Sequence, residues 1–503
     1  MSFIPRTSPT SSLPPRASGL ARRELLALAP AIPLALSGAA NAAGTADPVG
    51  TIVAEFVRAG RVDGISAAVV HGGRTRFHNA GLIARGGSTP ATERSVYEIG
   101  SISKTFTGLL LAHAILEGRA AASDDVRKHL PPGYDNLARG DRPVRLIDLV
   151  DTTSALPDNL PDWRQAIGDA KPEQIPFIAA KLLDGYTSQT LMADLRTVSL
   201  VDTPGAAPRH SNVASQLVGI VLERLYGRPY EALLAQYVER PLGMASGVAA
   251  PSAALVAQGY DLSGPATPAL TAPVVRAAGG LRYSTADMAR YLAAQLAARD
   301  PAVTLTHQPA WGSPDTGAIG FHWMIAKTAD SQVYLRHGGG TFGFSSYCDF
   351  YPDKGYGIVL LANRAGLEGA LQSAADAAHE ALFGRPKGLA ALEAALEQSR
   401  YADVAASVAD ARRRFPELHL TEERVNGWGY RLLFAPRPAE AKALFGYNVA
   451  QHSDSANAHD SYAEALAATG DKAGAIAEYR RSLALNPAND NAEKMIAKIL
   501  ADK

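Results

Sequence analysis

Ser101-Ile102-Ser103-Lys104 sets a hydroxyl and an amine three residues apart. On a helix that spacing brings both side chains to one face, with Cβ atoms about 5–6 Å apart, so the amine can reach the hydroxyl proton. Residues 105–118 read as that helix, with Phe106, Leu109, Leu110, His113 and Leu116 at helical spacing and Gly118 available as a stop. Gly100 and Ser101 then stand at its start, where the Ser101 N–H has no intrahelical acceptor and the helix dipole favours a developing negative charge. Lys104 can act as a base only when neutral. Its usual value of about 10.4 has to fall, through desolvation or a second proton carrier nearby. The same residues also fit a plainer reading, in which Ser101 caps the helix and Lys104 is a solvated charge, and a lone Ser-x-x-Lys match is weak.

Two more clusters follow in order. His210-Ser211-Asn212 precedes an amphipathic helix at 213–226, and His337-Gly338-Gly339 closes a strand beginning at Gln332. Gly338-x-Gly340-x-x-Gly343 spells a dinucleotide fingerprint, but a strand follows where a helix N-terminus must hold the pyrophosphate. No Gly-x-Ser-x-Gly elbow, Walker A loop or His-Glu-x-x-His occurs. Cys348 lies in the strand-like run 344–351 and reads as a buried structural thiol; His78, His113 and His322 are scattered and read as core or surface residues. No metal or other cofactor is expected.

Taken together, the three clusters resemble the serine β-lactamase, penicillin-binding protein and esterase family in its class C-like branch, whose motifs are Ser-x-x-Lys, Tyr-x-Asn and Lys/His-Thr/Gly-Gly. The resemblance runs from about residue 46 to 384 and includes Tyr97-Glu98-Ile99-Gly100, Thr153-Ser154-Ala155-Leu156-Pro157, Pro241-Leu242-Gly243-Met244, Gly279-Gly280-Leu281 and Gly343-Phe344. It implies Ser101 as acylated nucleophile, Lys104 as its base or proton shuttle, and the N–H groups of Ser101 and Gly340 as an oxyanion hole. It further implies Asn212 as a partner of substrate or Lys104, His337 facing a substrate carboxylate or the proton network, and Gly338 and Gly339 leaving room for the acyl chain. His210 departs from the family tyrosine, and Asp151-Thr152 replaces a family His or Tyr. A tyrosine there must be depressed far below its usual value of about 10 to accept a proton, whereas imidazole needs little tuning. His210 is therefore assigned a catalytic proton-transfer role, with helix capping as the structural alternative. A Glu-x-x-Leu-Asn element, the deacylating carboxylate of class A enzymes, is absent. Dedicated class C β-lactamases carry Tyr-Ala-Asn and Lys-Thr-Gly, so a peptidase or esterase is favoured. A non-catalytic sensor or binding protein of the penicillin-binding type is the rival.

The elements that must position these residues mix strands and helices. An early hairpin, 66–70 with 75–80 around His71-Gly72-Gly73, and late strands at 332–336, 344–351 and 356–362 suggest one antiparallel sheet built from both ends of a domain, with a helix returning at 367–383. The resemblance implies the corresponding α/β (α+β) fold, a β-lactamase/transpeptidase-like antiparallel sheet flanked by helices with a helical subdomain. Beyond about Pro386 the chain becomes helical and alanine-rich. There Trp428, Leu432, Ala441 and Phe445 recur 34 residues later as Tyr462, Leu466, Ala475 and Tyr479, with Pro487 closing the second copy, which resembles a tetratricopeptide pair at about 425–500. Two copies are fewer than an array needs to stand alone, so they are expected to pack on the hydrolase region or on 389–415. A scaffold and a docking groove for a protein partner are both open readings.

The whole chain of 503 residues, 47% hydrophobic and 19% charged, can bury a large core. Its 49 Lys and Arg balance 49 Asp and Glu, so no global field favours nucleic acid. One cysteine excludes an intramolecular disulfide. At the N-terminus, Arg6, Arg16, Arg22 and Arg23 precede an apolar run at 25–36, and Ala40-Asn41-Ala42 offers a cleavage site, so residues 1–42 read as an export signal of twin-arginine or general secretory type. The run is too short to span a bilayer, and no later segment qualifies. The expected organisation is a signal at 1–42, a serine hydrolase domain at 43–386 acting on a small peptide, amide or ester, and a helical region at 387–503, in a periplasmic or secreted protein without an integral membrane segment.

Overall fold

A computed structural model describes residues 47–245 and 251–501; the export signal expected at 1–42 lies outside the described residues. Twelve strands are described: β1 (Gly64–His71), β2 (Arg74–Gly81), β3 (Val96–Glu98), β4 (Ala138–Arg139), β5 (Arg142–Pro143), β6 (Arg282–Ser284), β7 (Trp311–Ser313), β8 (Gly317–Ile319), β9 (Met324–Lys327), β10 (Val333–Gly340), β11 (Ser345–Tyr351) and β12 (Tyr356–Ala362). Eight of them form one antiparallel sheet in the order β2-β1-β12-β11-β10-β9-β8-β7. Ile65 opposite Ala362 joins the two ends of the domain, as the sequence predicts. The short strands β7 to β9 were not legible in the sequence. Strand β10 carries the third motif at its end, as expected, and reaches Gly340.

The central strands bury both faces, and their side chains alternate between two cores. In β12, Val359 and Leu361 join one core while Ile358, Leu360 and Ala362 join the other. The second core is covered by α1 (Pro48–Arg58), through Val49, Val53 and Phe56, and by the returning helix at Glu368–Phe383, through Leu371, Ala374, Ala375 and Ala378. The first core holds α2 (Ser103–Leu116), α3 (Asn212–Tyr226) and α4 (Thr285–Ala297). Phe106 of α2 stacks on Tyr291 of α4 with centroids 4.0 Å apart and on Tyr283 of β6 at 5.1 Å. These contacts hold the helix that bears Lys104 against α4 and β6.

With the helix at Glu368–Phe383 designated α5, the C-terminal region continues as α6 (Lys387–Ser399), α7 (Val404–Arg414), α8 (Glu422–Phe434), α9 (Pro438–Gln451), α10 (Ala456–Ala468), α11 (Lys472–Leu485) and α12 (Asp490–Ala501). The pair α8–α9 and the pair α10–α11 begin 34 residues apart, the period visible in the sequence. The repeats pack on the preceding helices: Trp428, Leu432, Ala441 and Phe445 share a core with Leu392, Leu396, Tyr401 and Val408, and Trp428 Nε1–H donates to Tyr401 Oη at 3.1 Å. At the other end Ala492 and Ile499 of α12 cover Ala475 and Tyr479. Among the described residues no helix is long and apolar enough to cross a membrane.

Candidate active site

Ser101 sits in a one-turn 3₁₀ segment, Gly100–Ile102, that leads directly into α2. Gly100 adopts φ +51°, a left-handed conformation that glycine accepts without strain. Strand β10 presses on this turn. Its pairing with β9 ends at Arg336 opposite Met324, and beyond that point the backbone of Gly339 and Gly340 lies against residues 99–101. A side-chain carbon at Gly339 would come within 2.3 Å of the Ile99 carbonyl oxygen and 2.8 Å of the Ser101 nitrogen. One at Gly100 would come within 2.6 Å of the Gly340 nitrogen. Ser346 Oγ–H, donating to Ile99 O at 2.7 Å, fastens the turn to β11. The Ser101 and Gly340 amides named by the sequence are therefore close neighbours, as two donors to one oxyanion must be.

Lys104 is only 3% exposed. Its Nζ lies 2.8 Å from Ser101 Oγ, 2.7 Å from Asn212 Oδ1 and 2.8 Å from the Ala278 carbonyl oxygen. Burial lowers its pKa to about 7, against an opposing pull from the Asp158 charge. In the neutral amine, two N–H bonds to Asn212 and Ala278 leave the lone pair directed at the Ser101 hydroxyl, whose proton it can accept. The Ala278 segment is itself stitched to α2: Thr107 Oγ1–H donates to Ala277 O at 2.7 Å, and Leu281 N–H to Ser103 Oγ at 3.2 Å. The plainer reading of Ser101 as a cap and Lys104 as a solvated charge does not survive this geometry.

The second motif is held by the loop that follows Thr153-Ser154-Ala155-Leu156-Pro157. Ser211 Oγ–H donates to Pro157 O at 2.7 Å, Asn212 N–H to Asp158 O at 2.8 Å, and Asn212 Nδ2–H to Asn159 Oδ1 at 2.8 Å. Ser211, and not His210, caps α3, accepting from Ala214 N–H. This removes the helix-capping alternative for His210. His210 Nδ1 instead lies 2.5 Å from Asp158 Oδ1, with the His210 side chain 58% exposed. Burial pushes Asp158 up, but the His210 hydrogen bond and the nearby His210 and Lys104 charges more than offset this and leave it below the usual carboxylate range.

His337 lies partly buried on β10. Burial, followed by repulsion from Lys104, lowers its pKa to about 3, and its Nδ1–H donates to Gly338 O at 2.6 Å. Of the two roles the family implies for it, that direction favours the proton network over a charged clamp on a carboxylate. Asp151 is a buried carboxyl raised to about 7 by desolvation and by Asp148, with Thr153 Oγ1–H and N–H donating to its Oδ1 at 2.6 and 3.0 Å. Cys348 is fully buried opposite His337 in the sheet register, and burial pushes its thiol up, as expected of a structural residue.

The structure thus joins Ser101, Lys104 and Asn212 in one hydrogen-bonded chain and sets Gly339 and Gly340 against it. Among the hydrogen bonds described, His210 contacts Asp158 and neither Ser101 nor Lys104. Sequence reasoning missed Asp158, Asn159 and Ala278. The first two directly follow a motif-like stretch, Leu156-Pro157, and Ala278 directly precedes another, Gly279-Gly280-Leu281; that adjacency was the available signal. His322, read as scattered, lies fully buried with Nε2 3.4 Å from Ser215 Oγ, one turn beyond Asn212 on α3. No cluster able to hold a metal ion occurs among the described residues.

A family model described as Beta-lactamase matches residues 49–383. The chain is 25% identical over 345 residues to a beta-lactamase of Pseudomonas fluorescens, an alignment covering 60% of this chain and 89% of that one. It is 26% identical over 322 residues to the D-alanyl-D-alanine-carboxypeptidase/endopeptidase AmpH of Escherichia coli strain K12, covering 60% of this chain and 80% of AmpH. Among solved structures it resembles a class C beta-lactamase with a TM-score of 0.59 and 23% identity, over 68% of this chain and 97% of that one. The last likeness concerns the fold.

Proposed function

This chain belongs to the β-lactamase family and is a serine hydrolase, and we propose that it is an exported peptidase or esterase that works through an acyl-enzyme on Ser101. The observation that carries the mechanism is the buried Lys104 Nζ, 2.8 Å from Ser101 Oγ and held by Asn212 and Ala278. Neutral Lys104 takes the Ser101 proton as Oγ attacks the carbonyl carbon, and the amides of Ser101 and Gly340 receive the developing oxyanion. Collapse expels the amine or alcohol, which takes the proton back from Lys104. Water then attacks the acyl-enzyme with His210 as base, and the proton returns to Ser101 Oγ by way of Lys104.

Two features support a peptidase or esterase over a dedicated β-lactamase. The motifs read His-Ser-Asn and His-Gly-Gly, and the neutral imidazole of His337 offers a hydrogen bond where a cation would be needed to clamp a carboxylate. Esters and internal amides suit such a site better than acyl donors ending in a free carboxylate. Mass spectrometry after incubation with a fluorophosphonate and a penicillin tests the nucleophile: a transient or stable adduct on Ser101, lost in Ser101→Ala, is expected, whereas no adduct would favour the non-catalytic binder. A panel of chromogenic esters, aminoacyl amides, linear peptides and a chromogenic cephalosporin tests the substrate class. Export is tested by N-terminal sequencing of the periplasmic or secreted protein, which should begin after Ala42.

A further inference from the structure

We infer that Asp158 is the positioning residue for His210, fixing the imidazole in the tautomer that can take a proton from the deacylating water. The inference rests on the role proposed above for His210 and names the group that makes that role possible. A carboxylate oxygen only accepts hydrogen bonds, so at 2.5 Å from Asp158 Oδ1 the His210 Nδ1 must carry the proton. The neutral ring then has its lone pair on Nε2.

The pair is built into the backbone on both sides. Ser211 Oγ–H to Pro157 O, Asn212 N–H to Asp158 O and Asn212 Nδ2–H to Asn159 Oδ1 hold residues 157–159 alongside 210–212. Ser211 is extended, with φ −152° and ψ 115°, so the side chains of His210 and Asn212 leave the chain on the same side. Asn212 uses that side to bind Lys104 Nζ at 2.7 Å. His210 therefore stands on the Lys104 side of its segment, and at 58% exposure it remains open to water.

The step balances. Water oxygen bonds to the acyl carbon as one water proton passes to His210 Nε2; that proton then passes to the neutral Lys104 amine, and the ammonium so formed gives one to Oγ as the carbon–Oγ bond breaks. Asp158 keeps its negative charge throughout and accepts from Nδ1–H. A half-exposed hydrogen-bonded pair contributes little to stability, so the role predicts an effect on turnover without a matching effect on melting.

The test follows acylation and deacylation of the full-length protein separately in a burst experiment with a p-nitrophenyl acyl ester, for wild type, Asp158→Asn, His210→Ala and the double variant. Ring ¹⁵N shifts of His210 report the tautomer, and melting curves report the fold. Asp158→Asn should slow deacylation at least about 10-fold, a modest share of what loss of the correct tautomer costs a buried triad, shift His210 toward the Nε2–H tautomer, and leave melting unchanged. Added to His210→Ala it should cost nothing further. If His210→Ala slows deacylation while Asp158→Asn does not, or if the two losses multiply in the double variant, the inference fails and the role of His210 stands. If His210→Ala leaves deacylation unchanged, both fall.

Discussion

Lys104 gains its reactivity by being denied solvent: with 3% of its surface exposed, burial brings its pKa from the ordinary 10.5 to about 7. Below that value it holds a proton and cannot serve as base, so kcat/KM should fall about tenfold per pH unit on the acid side of 7 and level off above it, as a pH–rate profile on a non-ionising ester would record. The same shift has a cost in stability. Between pH 7 and 10.5 the unfolded chain binds a proton at Lys104 that the folded chain does not, so unfolding free energy rises with pH across that window. Urea denaturation of wild type and Lys104→Met should show the difference moving in favour of wild type by about 1 kcal/mol per pH unit between pH 7 and 10, and parallel pH dependences would contradict it.

At the scale of elements, the meeting of β10 with the Ser101 turn sets the tolerance of the site. Gly339→Ala would drive a carbon to 2.3 Å from Ile99 O and 2.6 Å from Ser346 Oγ. The backbone must then separate, at a cost of about 1–3 kcal/mol, and displacing the nucleophile should lower kcat about 100-fold. Gly338 differs, since its added carbon meets nothing nearer than 3.8 Å. Gly338→Ala should keep the wild-type melting temperature. Comparing the two variants by thermal melting and kcat separates a packing requirement from general intolerance of the motif.

On the scale of the molecule, the C-terminal region is fastened to the turn that leads into β10 and to β10 itself, the strand that carries the third motif. His419 N–H donates to Ala329 O at 2.9 Å, Ser331 Oγ–H to Glu417 O at 2.7 Å, and Arg336, adjoining His337 on β10, lies 3.6 Å from Glu423 of α8. Arg336 is 8% exposed and Glu423 67%. The exposed partner makes the ion pair a minor contributor, so Glu423→Gln should change stability by less than about 1 kcal/mol. Removing residues 387–503 withdraws all three contacts and the cover over Arg336. That truncation should lower the melting temperature and also reduce kcat/KM, because β10 loses its support next to the site. Full activity in a stable truncated chain would mean that the helical region has no part in holding the site.

The Ser101–Lys104 relation was legible because three residues on a helix are neighbours whatever surrounds them, and the 34-residue period was legible because each repeat turns its own apolar residues inward. The hairpin, β11 and β12 followed from runs rich in aromatic and β-branched residues bounded by turns, and the helix around Phe106 from helical spacing. Strands β7 to β9 escaped because runs of three or four residues carry no periodic signal and are held by their neighbours. Strand β10 continues through three glycines, against local preference, because β11 pairs with it as far as Ser345. The decisive features of the site are non-local: Lys104 is buried against an Ala278 carbonyl 174 residues away, and His210 is oriented by a carboxylate 52 residues away. Residue types and their order determined which groups could react. Burial and the approach of distant backbone, which no local spacing encodes, decided which of them are set to do so.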